Sequence, residues 1–269
     1  MNVLWLGGPP GSGKSTVARR LARRHGLRWY CSDTRTWDHR ARAARAGVPA
    51  AIRFDALSPE QRAALPMPEQ LAMALHRERG PLTVADLTAL PRSPLIIAEG
   101  TQITPAIVPI GAPALFLTLS PDRQRERLEH RHGPGSAPRL YLHLGQVIAD
   151  EIQQAGAPSL PVDDLSIDQA VAAVEAHFAR PLADGPAAST ATERRALLRY
   201  ANRAEIQRYT DFHARPSSSG DLASVVHAFH CECDRPDCEA LVELAVPDFP
   251  GPPDDGSSPL LAPGHRACA

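Results

Sequence analysis

Residues Gly8, Pro9, Pro10, Gly11, Ser12, Gly13, Lys14 and Ser15 place glycine, lysine and a hydroxyl at the spacing G-x-x-x-x-G-K-[ST]. Glycines there let the backbone curl with its N–H groups turned inward, a concave nest for phosphate oxygens. A helix starting near Lys14 adds the positive end of its dipole at the same point. Lys14 supplies a point charge for the β- and γ-phosphates of ATP, and the Ser15 hydroxyl is placed to ligate Mg²⁺. Thr16 completes the binding stretch or simply begins the helix. Lys14 is also the single lysine among 29 basic residues, so its position inside this motif is informative.

Two carboxylates stand where such a loop needs them. Glu99 ends the apolar run Pro94–Ala98, the usual source of an acid that orients Mg²⁺ or its water. Asp33 follows Leu27–Cys31 and reads as a base or anchor for an acceptor hydroxyl, or as the N-cap of the next helix. Arg123, Arg127 and Arg131 recur at i, i+4 and i+8. They form either a solvated face offset by Glu126 and Glu129 or a lid closing over the triphosphate. The Gly133–Pro138 loop after them suits a mobile element. Far along the chain, Cys231, Cys233 and Cys238 form C-x-C-x₄-C. With His265 they complete a Cys₃His set for Zn²⁺, although His230 or Cys268 are alternative fourth ligands and reduced packing cysteines an alternative role. Cys31 stands alone at a strand end and reads as packing.

The elements that must position these residues alternate. Val3–Leu6 is a strand, and a helix follows from Lys14 with Val17 and Leu21 inward. Leu27–Cys31 is the second strand, and an arginine-rich helix then runs to about Ala46, where Gly47-Val48-Pro49 stops it. Phe54 to Leu90 is helical, with N-caps expected at Ser58 and Thr83 and breaks at Pro66, Pro68 and Pro81. Strands at Pro94–Ala98 and Ala114–Leu119, a helix Pro121–His132, a short strand Ser159–Val162 and a helix Asp168–Ala179 complete the series. Such alternation predicts a parallel sheet with both faces covered and ligands at the strands' carboxyl ends.

These motifs together resemble the P-loop small-molecule and nucleotide kinases of the adenylate, shikimate and gluconate kinase type. The resemblance rests on GGPPGSGKST after a strand, an acid after strand two, a strand ending in Glu-Gly and an arginine-rich segment after strand four. More narrowly, Tyr30–Asp33, Asp86–Pro91 and Ala98–Thr101 look like a group of bacterial nucleoside or nucleotide kinase-like proteins. It spans about residues 1–180 and implies ATP and Mg²⁺ at Gly8–Thr16, with phosphoryl transfer to a small acceptor. The short stretch between Ala46 and Leu75, and the Pro/Gly loop after the arginine helix, depart from that group and imply a reduced or altered acceptor pocket.

After a boundary at 183–191, residues 192–269 read as an amphipathic helix, a break at 216–220, the cysteine motif, the strand-like Ala240–Val246 and a Pro/Asp/Gly-rich stretch over 247–259. This part resembles a small Cys-rich module of bacterial proteins, with an ERRALLRYAN-type helix, CEC…C and APGH in that order. The expected fold is therefore α/β: a P-loop NTPase-type parallel sheet over 1–182, then a helix and a Cys-rich module. A metal staple would help that thin appendage fold.

Composition narrows the class. With 43% hydrophobic residues and 22% charged, the chain can bury a core, and a net charge of −1 does not favour nucleic acid. Glu232, Asp234, Asp237, Glu239 and Glu243 make the cysteine region acidic, which argues further against phosphate contact. No apolar run reaches the ~18 residues of a membrane span, MNVLWLGGPP lacks a signal-peptide n-region, and five cysteines are not a disulfide framework. The expectation is a cytoplasmic kinase acting on ATP and a small acceptor. The alternative is a nucleotide-dependent switch whose Cys-rich module binds a protein partner.

Overall fold

A computed structural model describes residues 2–215, 218, 220–251 and 258–266. Five strands, β1 (Val3–Gly7), β2 (Arg28–Cys31), β3 (Ile96–Gly100), β4 (Ala114–Thr118) and β5 (Ser159–Pro161), form one sheet in the order β2-β3-β1-β4-β5. Every pairing in it is parallel, and the register sets Leu6 beside Glu99 and Gly7 beside Gly100.

Strand β1 is buried at all five positions, because each pleat face meets its own layer. Leu4 and Leu6 join Ile97, Leu115 and Leu117 against α1 (Lys14–His25) and α9 (Ile167–His177). Val3 and Trp5 join Ile96, Ala98 and Phe116 against α6 (Arg79–Ala89) and α8 (Arg139–Gln154). Each fully buried large apolar side chain contributes about 1.5–3 kcal/mol, so these two layers hold the strand ends in place.

Between β2 and β3 the chain builds a helical lobe from α2 (Thr36–Arg45), α3 (Pro49–Ala56), α4 (Pro59–Ala63), α5 (Met67–Met73) and α6. Ser58 caps α4 in a capping box with Gln61. Thr83, by contrast, is no cap. It is fully buried inside α6, which starts at Arg79 with Pro81 in its first turn, where a missing N–H costs nothing. Pro66 and Pro68 likewise open α5. Past β4, α7 (Pro121–His132) is capped by Ser120. Helix α8 lies beyond the sequence reading, although Leu144, Ile148 and Ile152 mark its buried face at helical spacing.

Helix α10 (Ala179–Asp184) leads to the 185–190 segment, which lies against the sheet. Leu95 donates its N–H to the Pro186 carbonyl at 2.6 Å, and Ala188 donates to Gly26 at 2.8 Å. Helix α11 (Ala191–His213) then packs on β2 and α2. The antiparallel pair β6 (Val226–His230) and β7 (Leu241–Ala245) follows. Of the expected break at 216–220, residues 216, 217 and 219 lie outside the described residues, as do 252–257 and Cys268.

Candidate functional site: a phosphate loop and its cleft

The turn from β1 to α1 has the geometry the glycines allow. Gly11 and Gly13 take φ of 87° and 86°, a left-handed region that other residues enter only with strain, and Gly13 is the N-cap of α1. Lys14 is buried, with Nζ 3.4 Å from the Pro9 carbonyl. Gln124 Nε2 donates to the Pro10 carbonyl at 3.1 Å and Arg127 Nη1 to the Gly11 carbonyl at 3.4 Å, so α7 braces the loop from outside.

Ser15 Oγ donates to Glu99 Oε2 at 3.0 Å. Glu99 is fully buried, and among the described residues its other oxygen has no hydrogen-bond partner. Burial, with Asp33 adding to it, pushes its carboxyl up to about 7 against the opposing pull of Lys14. A half-buried hydroxyl beside a buried carboxylate, with one oxygen unpartnered among the described residues, suits a hard divalent cation such as Mg²⁺. Ser12 Oγ is also buried without a partner in the loop.

Asp33 is exposed and sits in a 3-10 turn over Ser32–Arg35. Its side chain caps neither that turn nor α2, so the N-cap reading fails. The turn is braced by Ser32 Oγ donating to Gln102 Oε1 at 2.7 Å and by Arg79 Nη2 donating to the Ser32 carbonyl at 2.6 Å. Cys31 at the end of β2 is held protonated, since burial and then Glu99 and Asp33 push its thiol well up.

Lys14, Ser15, Thr16, Asp33 and Arg131 line one cleft of about 440 Å³, together with Trp37, Arg40, Phe54, Arg79, Gln102 and Arg208. The three arginines of α7 do not converge there. Arg127 also donates to the Val162 carbonyl at 2.6 Å, and Arg123 is engaged by the Asp163 carbonyl at 3.1 Å and by Glu126 at 2.5 Å. Each i→i+4 step turns a helix by about 40°, so Arg123 and Arg131 point about 80° apart. Gln124 and Arg127 tie α7 to the loop and Leu128 is buried, and of the three arginines Arg131 lines the cleft. Arg40, Arg79, Gln102 and Arg208 escaped sequence reasoning. Gln102, two residues past Glu99-Gly100, carried the one local signal.

At the other end of α1, the sulfurs of Cys231, Cys233 and Cys238 each lie 3.4 Å from His265 Nδ1. One ring nitrogen cannot hydrogen-bond three sulfurs at once. The spacing is instead near the ~3.5 Å edge of a tetrahedron with metal–sulfur and metal–nitrogen bonds of about 2.3 and 2.0 Å. All four ligand atoms lie within 4.8 Å of one another. Ala262 N–H and Arg23 Nη2 donate to Cys231 and Cys233 sulfurs at 3.2 and 3.1 Å, the support that ligating thiolates receive. His230 is outside this group, its ring 5.6 Å from that of Trp29.

The residue between the first two cysteines corrects the reading of an acidic surface. Glu232 is buried, and Arg199 of α11 holds it through Nε at 2.6 Å and Nη2 at 2.7 Å. Glu239 pairs with Arg20. With Asp237 beside Arg235 at 3.6 Å, three of the five acids in this region are therefore paired within the protein. No described helix is long and apolar enough to cross a membrane.

No family model matches the sequence, and no curated protein matches it. Among solved structures the chain is similar to a gluconokinase from Sinorhizobium meliloti 1021, at 19% identity over 68% of this chain and 93% of that one, with a TM-score of 0.43. It is also similar to the tunicamycin resistance protein of Deinococcus radiodurans, at 17% identity over 65% of this chain and 94% of that one, with a TM-score of 0.37.

Proposed function

We propose that this chain is an ATP-dependent phosphotransferase acting on a small-molecule acceptor. The observation that carries the reading is the shared cleft: the phosphate loop with Lys14 and Ser15, the buried Glu99 behind it, and the exposed carboxylate of Asp33 in front. The loop amides and Lys14 hold the β- and γ-phosphates of ATP. Ser15 and Glu99 would hold Mg²⁺, which when bound neutralises phosphate oxygens during transfer. Asp33 accepts the proton of the acceptor hydroxyl as its oxygen bonds to the γ-phosphorus and the bond to the bridging oxygen of ADP breaks. Arg131 lines the same cleft and stabilises the charge on the moving group. A cleft that walls in a carboxylate and an acceptor volume beyond the phosphates favours transfer over a bare nucleotide switch.

Zn²⁺ is the metal we assign to Cys231, Cys233, Cys238 and His265, in a closed four-ligand set of structural character. The test of function is ATP·Mg²⁺ consumption over a panel of sugars, sugar acids, nucleosides and nucleotides. Phosphorylated product should form, and Lys14→Ala should weaken ATP binding by about 10- to 100-fold. Hydrolysis of ATP with no acceptor consumed would refute transfer, and undiminished ATP affinity in Lys14→Ala would refute the loop itself.

A further inference from the structure

Pro9 and Pro10 carry no N–H, so this arm of the phosphate loop offers only carbonyls to its surroundings. The Ser12 N–H and Lys14 Nζ reach the Pro9 carbonyl, at 3.2 and 3.4 Å. The Pro10 carbonyl is reached from α7, where Gln124 donates to it through Nε2 at 3.1 Å. The same nitrogen donates at 3.1 Å to the Tyr141 carbonyl, in the first turn of α8. An amide nitrogen carries two N–H groups, and here each has a main-chain carbonyl on a different element. Gln124 lies in the first turn of α7 and is 4% exposed.

Helix α8 leaves a slot for this side chain. A Cβ on Gly145 would lie 2.3 Å from Gln124 Nε2 and 2.4 Å from its Oε1, far inside contact distance. Gly145 has no left-handed φ and stands within the helix, where glycine costs about 0.5–1 kcal/mol relative to alanine. The position therefore calls for glycine by its space and not by its backbone. The loop also rests on α7, since a Cβ on Gly11 would sit 3.8 Å from the Gln124 carbonyl oxygen and from Leu128. On either side of this amide, Pro10 and Gly11 line the cleft from the loop, and Leu140, Tyr141 and Leu144 line it from α8. Gln124 itself is not part of that lining.

We infer that Gln124 is a positioning residue, which joins the phosphate loop to the α8 wall of the cleft through one side-chain amide. Nucleotide seated on the loop fixes the Pro10 peptide, the amide carries that constraint to Tyr141, and the first turn of α8 is thereby ordered where an acceptor meets it. This rests on the phosphotransferase reading above, to which it adds a mechanical link between the two substrate sides. The link requires N–H donors at both carbonyls, which glutamine supplies and neither methionine nor an ionised glutamate can.

The test uses the full chain with a non-hydrolysable ATP analogue and Mg²⁺, followed by calorimetry and by amide hydrogen exchange over residues 139–145. In the native chain the analogue should slow exchange in that first part of α8. Gln124→Met keeps the bulk of the side chain and removes both donors. It should weaken the analogue by about fivefold or more and abolish the slowing in α8. Gly145→Ala, which displaces the amide, should act in the same direction, yet add little once Gln124→Ala has emptied the slot. Should Gln124→Met fail to fold, that comparison of Gly145→Ala with and without Gln124→Ala decides the matter. Variants that melt lower but bind the analogue as the native chain does would make Gln124 mere packing and overturn the inference. A slowing in α8 that survives Gln124→Met would overturn it as well. A native chain that binds no analogue would remove the nucleotide site and this inference together. The expected coupling, with no phosphate delivered to any acceptor, would leave the link standing and remove the phosphotransferase reading alone.

Discussion

His39 is fully buried with both ring nitrogens engaged: Nε2 lies 2.9 Å from Asp86 Oδ2, and Arg79 Nε donates to Nδ1 at 3.5 Å. That pattern needs the neutral ring, with its proton on Nε2, since a second proton would face the Arg79 cation. Burial lowers its pKa, Arg79 and Arg42 add to this, and Asp86 opposes them. Asp86 itself is held well below the usual carboxylate range; burial works against this, but His39, Arg42 and Tyr30 hydrogen-bond it and Arg35 pairs with it. The unfolded chain therefore binds the His39 proton first as pH falls, so this part of stability is present above about pH 6.5 and is lost below it, by at most ~1.4 kcal/mol per pH unit. Melting temperatures at pH 7 and 5 should fall further for the native chain than for His39→Gln, and equal falls would discount the ring. Arg79 also holds the turn of Asp33, so acid should loosen the proposed base before it unfolds the fold. Sequence could point to Lys14, Asp33 and Glu99 because a motif or a strand end isolates each. It could not point to Arg40 or Arg208, since 28 arginines offer no contrast in spacing and Arg208 arrives from a distant helix.

At the scale of elements, the alternation of strands and helices was readable because both sheet faces are covered, which leaves near-continuous apolar runs. Two features were not. The face of α8 was masked by the Gly/Pro loop before it, and the i, i+4, i+8 arginines looked like one face although a helix drifts between such positions. The link between α11 and the cysteine motif was invisible as well, for it runs through Arg199 and Glu232, whose side chains are 2% and 0% exposed. Asn202 adds bonds to the His230 carbonyl at 2.9 Å and to Glu232 at 3.1 Å. Removing one partner of such a pair strands the other charge in a dry site. Arg199→Ala should therefore cost about 3–5 kcal/mol in denaturant unfolding, far more than an exposed arginine of α11 such as Arg203. A loss under about 1 kcal/mol would mean that the pair holds nothing together.

Across the whole molecule, the C-terminal part is docked at several places. Arg23 of α1 reaches the carbonyls of Cys231, Cys233 and Arg235 at 2.9, 2.6 and 2.7 Å. Arg215 pairs with Asp55 of α3 at 3.2 Å, and α11 lies along β2. Calorimetry of the metal-loaded chain should show one unfolding transition, and stripping the metal should lower it and raise the acceptor KM more than that of ATP. Two separate transitions, with catalysis indifferent to the chelator, would make the cysteine part a passenger. Helix α1 carries the glycine loop at its first residue and the clasp on the cysteine carbonyls in its last turn, so both ends of one rod are spoken for. Inserting or deleting a single residue would swing Arg23 about 100° off its targets. The length of that rod is thus a fixed gauge, and the count of residues between Lys14 and Arg23 cannot change without releasing one end.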